Sequence, residues 1–145
     1  MYINGVQVVL DTSVVVSAFR SRHGASNAVM RKVAAGIVIP LATPALFLEY
    51  EDVLKRPAQR EVSGLSLADV DLMLDALASA ILPVETHFLW RPQLRDANDE
   101  MVLEAAVNGR AAAIVTHNGR DFMAAAPRFG LAILTPRQLI ERIER

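Results

Sequence analysis

The chain reads as an α/β domain with a central, mainly parallel sheet of about five strands and helices on both faces. Three observations predict this. Short apolar runs rich in β-branched or small residues recur at 6–10, 37–43, 111–116 and 131–134. Apolar residues at helical spacing fill much of the chain between them. Strands that alternate with helices call for right-handed crossovers, which lay parallel strands between two helical layers. At 145 residues the chain fits a single domain, 1–145, and a domain of that length buries roughly 70% of the surface its unfolded chain exposes.

The elements follow in order. VQVVL, residues 6–10, is continuously apolar apart from Gln7, as a strand buried on both faces requires, and it ends on Asp11. Ser13 opens a helical stretch, SVVVSAFR, followed by the polar loop SRHG. Ser26 is the expected N-cap of NAVMRKVAAG, in which Ala28, Val29, Val33 and Ala34 share a face and Gly36 supplies the stop. IVIPLAT is the second strand, with Pro40 weakening its far end. Thr43 and Pro44 start a helix that carries Leu46, Tyr50, Val53 and Leu54 on one side and stops at Pro57. Ser66 with Asp69 three residues later is close to a capping box, and it opens LADVDLMLDALASAI. PVETHFLW, residues 83–90, is the candidate third strand. RDANDEMVLEAA supplies the next helix, which ends near Asn108 and Gly109. AAAIVT and LAIL are the fourth and fifth strands, and TPRQLIERIER is a closing capped helix.

Composition narrows the chemistry. The absence of cysteine excludes a disulfide framework, a thiolate zinc site and a cysteine nucleophile. The N-terminus lacks the basic region of a secretion signal, and no apolar stretch approaches the roughly 20 residues that span a bilayer. A soluble, cytoplasmic protein is therefore expected. The net charge is -1, with thirteen arginines against only two lysines, Lys32 and Lys55, so nothing draws a polyanion to the chain as a whole. There is neither a P-loop nor a GxGxxG turn, and His23, His87 and His117 form no Ser-His-Asp spacing. His117 reads as a solvent-facing loop residue.

In open parallel sheets, ligands sit outside the carboxyl ends of the strands. Asp11 lies at the end of the first strand and Asp121 follows the fourth. Asp96 and Asp99 open a helix that starts near the same sheet edge, and Glu49 lies beside the apolar stripe of the helix after strand two. Each has a plainer reading when taken alone. Asp11 and Asp121 suit turns, Glu49 suits a solvated helix face, and Asp96 and Asp99 suit a helix N-terminus, where acids gain about 0.3–1 kcal/mol. Around Asp99, Asn98 reads as a cap and Glu100 as a surface residue. Together, clustered carboxylates without cysteine or a well-placed histidine suit Mg²⁺ or Mn²⁺. Such ions activate water and stabilise the leaving oxygen in phosphodiester cleavage, and they supply the positive charge that the chain lacks.

VVLDTSVVVSAF, TPALFLEYEDVLKR, RDANDEMVLEAAV, and IVTHNGRDF followed by GLAILTPRQLI span almost the whole chain. In order and spacing they resemble the PIN-domain family of metal-dependent ribonucleases, and most closely the small prokaryotic subgroup of toxin-antitoxin toxins. The resemblance implies a three-layer α/β/α fold, bound Mg²⁺ or Mn²⁺ and hydrolysis of RNA. By position, Asp11, Glu49, Asp99 and Asp121 match the family's acidic set, and Asp96 matches an additional acid of the subgroup. Thr12 and Ser13 fall where small hydroxyl or amide residues orient the first Asp, and Thr116 ends strand four at a recurrent position. Asn118 departs from the pattern, because some members carry Asp there; Asp121 then serves as the fourth acid. The resemblance also implies a homodimer and a small antitoxin as partner.

Three function classes follow. The first is a metal-dependent endoribonuclease, the toxin of a type II toxin-antitoxin system. The second is a catalytically degenerate PIN-like module that binds RNA or a protein partner, a reading motivated by Asn118 and the modest charge. The third, phosphotransfer on Asp11, is disfavoured, because DTS lacks the second Asp of a DxD pair and neither lysine follows a strand end. The helix at 66–82 and the apolar residues Phe47, Phe88, Leu89 and Trp90 suit either core or interface, with core expected for Phe47 and Trp90.

Overall fold

The structure is a computed structural model that describes residues 5–87, 94 and 96–145. Its strands are β1 (Val6–Leu10), β2 (Val38–Ala42), β3 (Leu82–Pro83), β4 (Ala113–Val115) and β5 (Ala132–Leu134). They form one sheet in the order β3-β2-β1-β4-β5, and every pairing is parallel. The helices are α1 (Thr12–Arg20), α2 (Ala25–Ala34), α3 (Pro44–Lys55), α4 (Pro57–Ser63), α5 (Leu67–Ala80), α6 (Ala97–Gly109) and α7 (Pro136–Ile143). Two 3₁₀ turns, Gly119–Phe122 and Ala126–Phe129, join β4 to β5.

This order explains the three layers. From β1 the chain moves outward to β2 and β3, then returns across the sheet to β4 and β5 on the other side of β1. Right-handed crossovers in opposite directions place their helices on opposite faces. Accordingly α6 packs against β1, β2 and β4, while α2 packs against β2 and α7. Val8, Val9, Leu10, Ile114 and Val115 are fully buried at the centre, as strands covered on both faces require. Strand order reverses between β1 and β4, and Asp11 follows β1 at its carboxyl end.

Local chemistry accounts for most element boundaries. Thr43 caps α3 by accepting from the Leu46 N–H at 3.2 Å, with Pro44 next in line. Ser66 with Asp69 and Thr135 with Gln138 form reciprocal capping boxes on α5 and α7. Pro40 sits inside β2 without breaking it. The Ala42 carbonyl accepts from Val84, so by alternation the Pro40 nitrogen faces the β3 side, where pairing begins only at Leu41. A missing N–H costs little there.

The structure corrects several expectations. The third strand is only Leu82–Pro83, at the start of the predicted 83–90 segment; Phe88, Leu89 and Trp90 lie outside the described residues. Pro57 ends α3 but also begins α4, because proline suits a first helical position. Ser26 does not cap α2, which starts at Ala25 after Gly24. The left-handed residue that closes α6 is Arg110, at φ 52°, rather than Gly109. Gly109 has a packing role instead: a Cβ there would stand 2.8 Å from Val84 Cγ2 and 3.0 Å from Leu41 Cδ1. Phe47 packs against the core, edge-on to Tyr50 at 6.3 Å. Among the described residues, no helix is long and apolar enough to cross a membrane.

Candidate active site

Asp11 is the best-held acid. It is 7% exposed, its backbone N–H donates to the Val115 carbonyl at 2.9 Å, and its carbonyl accepts from Val14. One carboxylate oxygen, Oδ2, accepts from Ser13 Oγ at 2.9 Å and from Thr116 Oγ1 at 2.6 Å. Thr116 is fully buried at the end of β4 and in turn accepts from the Asn118 N–H at 2.9 Å. One relay of hydroxyls thus ties the ends of β1 and β4 together across the point where strand order reverses, the usual ligand position in such sheets. Thr12 makes no comparable bond among the described residues.

Asp99 supplies the electrostatic signature. It sits half-buried in the first turn of α6. Burial, followed by the charges of Asp11, Asp96, Asp121 and Glu100, pushes its carboxyl from the ordinary 3.8 up to about 6. That repulsion shows that acids from β1, α6 and the turn after β4 share one edge. Asp96 caps α6, accepting from the Asn98 N–H at 2.8 Å. Asn98, expected as the cap, lies inside the helix. Asp121 is exposed on the 3₁₀ turn, where its N–H donates to the Asn118 carbonyl at 3.0 Å.

Glu49 stands somewhat apart. It is half-buried on α3 and is not among the charges that raise Asp99. Its neighbour Tyr50 anchors that part of α3 to the site by donating from its phenol to the Leu10 carbonyl at 2.5 Å. Burial and the nearby Asp11 charge hold the phenol well above its usual range, so it stays protonated and remains a donor.

Other contacts were not foreseen. Glu100, expected at the surface, is 4% exposed and accepts from the Leu94 N–H. Glu104, one turn later, is 5% exposed; its place inside the run MVLEAAV was the available signal. His117 is exposed, as expected, but its Nε2 lies 2.8 Å from the Oγ of buried Ser26. A bond between residues so distant in sequence leaves no local trace.

The donor set is carboxylate oxygen throughout, which fits hard cations such as Mg²⁺ and Mn²⁺. The two lysines are committed elsewhere: Lys55 to Asp71 at 2.9 Å and Glu51 at 3.1 Å, and Lys32 to Glu144 at 4.0 Å. Among the described residues, no three carboxylates or imidazoles are drawn together closely enough to ligate one ion. Among the described residues the acids thus form an open set rather than a closed cage.

The fold and this acidic edge define the class. A family model described as PIN domain matches residues 7–120, from within β1 to one residue short of Asp121. The chain belongs to the PIN-domain family, whose fold is a nuclease fold. No curated protein matches the chain.

Proposed function

We propose that the chain is a metal-dependent endoribonuclease, the toxin component of a type II toxin-antitoxin system, acting in the cytoplasm. The observation that supports this most is the raised Asp99 carboxyl, surrounded by Asp11, Asp96 and Asp121. Such mutual repulsion is costly unless a cation or a proton relieves it. Asp11 and Asp99 would contact the ion, with water completing its shell, and Asp121, Asp96 and Glu49 would add negative charge around it. When bound, Mg²⁺ or Mn²⁺ supplies Lewis-acid charge to the phosphodiester and makes water a better nucleophile near neutral pH.

The chain's own residues do the positioning. Ser13 and Thr116 fix the Asp11 carboxylate through Oδ2 and leave Oδ1 free of those bonds. In the ion-free protein, burial and the neighbouring acids raise the Asp99 carboxyl, and a cation bound there would favour its charged form. The family resemblance adds a homodimer and a small antitoxin as proposed partners. Purified protein is expected to cleave RNA with Mg²⁺ or Mn²⁺, to stop in chelator, and to lose the activity in Asp11→Asn. Cleavage unchanged by that substitution removes the mechanism.

A second reading, a degenerate module that binds RNA or protein without cutting, draws on Asn118 and on the open donor set. Calorimetric titration with Mn²⁺ separates the two. The nuclease reading predicts saturable binding that Asp99→Asn weakens, whereas a degenerate site shows no heat even at millimolar ion.

A further inference from the structure

A cavity of about 340 Å³ opens at the carboxyl ends of β4 and β5, beside the acids but not part of them. Thr116 forms one wall, and the same residue donates to Asp11 at 2.6 Å, so whatever fills the cavity lies next to the acidic edge. We infer that this cavity holds the base of an RNA nucleotide flanking the cleaved bond, and that it favours bases presenting a carbonyl oxygen. The inference rests on the ribonuclease reading and extends it to substrate selection.

Three features of the cavity carry it. First, Met123 and Ile133 line an apolar slot, and Met123 is 64% exposed, so its side chain is open to a flat apolar ligand. The volume lies at the lower end of small-ligand pockets, which run from about 300 to 1,000 Å³. Second, the polar groups are donors. Gln138 already accepts the Thr135 N–H at 2.9 Å through Oε1, which fixes its amide and leaves the NH₂ to donate. Arg120 adds a planar guanidinium of the kind on which unstacked bases lie. Uracil, cytosine and guanine carry a carbonyl oxygen to meet such donors, and adenine carries none.

Third, Gly119 lines the cavity without a side chain. A Cβ on Gly119 would stand 3.3 Å from Ile133 Cγ2, so a larger residue would narrow the slot. Gly119 does not need positive φ, so the backbone alone does not demand glycine there. A chain of net charge -1 gains little sequence preference from phosphate attraction. Base contacts in a fixed slot supply such a preference directly.

The test is methyl NMR on the full chain with ¹³C-labelled methionines, titrated without metal by the four nucleoside 5′-monophosphates and by ribose 5-phosphate. The Met123 methyl is expected to shift with UMP, CMP and GMP, weakly with AMP and not with ribose 5-phosphate, while Met30, Met73 and Met101 stay in place. Gly119→Val is expected to abolish the shifts. Gln138→Glu keeps the capping acceptor but removes the donors, and it is expected to erase the difference between AMP and the others. A Met123 signal unmoved by every nucleotide, or moved equally by ribose 5-phosphate, overturns the proposal. Parallel cleavage assays keep the two readings apart. Nucleotide-dependent Met123 shifts in a protein that cuts no RNA leave the cavity assigned and remove the nuclease; cleavage without such shifts does the reverse.

Discussion

Asp99 is the acid whose charge the fold perturbs most clearly, through burial and its acidic neighbours. Its folded-state carboxyl, at about 6, lies above the ordinary 3.8, so between those values the native state binds more protons than the unfolded one. The contribution of Asp99 to the stability of the ion-free protein therefore falls as pH rises from about 4 to 6 and stays lower above that window. Asp99→Asn removes the burial of that charge, so the variant is expected to melt at higher temperature than the parent at pH 7.5, the gap closing below pH 4. Thermal melts across that range in chelator check the sign. Thr116 makes the opposite kind of contribution. Thr116→Val leaves Asp11 Oδ2 and the Asn118 N–H each one partner short, at a cost of roughly 1–3 kcal/mol in urea unfolding. Thr116→Ser, which restores the hydroxyl, should recover much of the loss.

Elements whose ends are set by near neighbours were legible in the sequence. The Thr43 cap and the boxes at Ser66 and Thr135 involve residues three apart, so their signals are complete within one turn. Elements defined by distant partners were not. Two-residue β3 exists only because it meets Leu41 and Ala42, and Ser26 is buried against His117 instead of capping its helix. Gly109 is a third case, read as a helix stop but required for close approach of α6 to the sheet. Alanine is the better helix former by about 1 kcal/mol, whereas overpacking costs roughly 1–3 kcal/mol. Gly109→Ala is therefore expected to destabilise the protein by about 1 kcal/mol in chemical denaturation. A gain in stability would show that Val84 and Leu41 yield freely.

At the scale of the molecule, the order β3-β2-β1-β4-β5 brings acids scattered along the sequence to one sheet edge. Asp11 was legible because an apolar strand stopped on it, and the general rule for parallel sheets then located the edge. The sequence did not reveal how the acids divide their roles. Asp96 caps α6, Asp99 carries the repulsion of three segments, and Glu49 lies outside that electrostatic group. Within the RDANDE stretch, the cap falls on Asp96 and the raised carboxyl on Asp99. The most direct test is RNA cleavage by Asp99→Asn beside the parent protein, at pH 7.5 with Mg²⁺ or Mn²⁺. The variant is predicted to be folded, more heat-stable without ions, and unable to cut. A variant that cleaves as the parent does would contradict the assignment of this edge as a metal-dependent nuclease site.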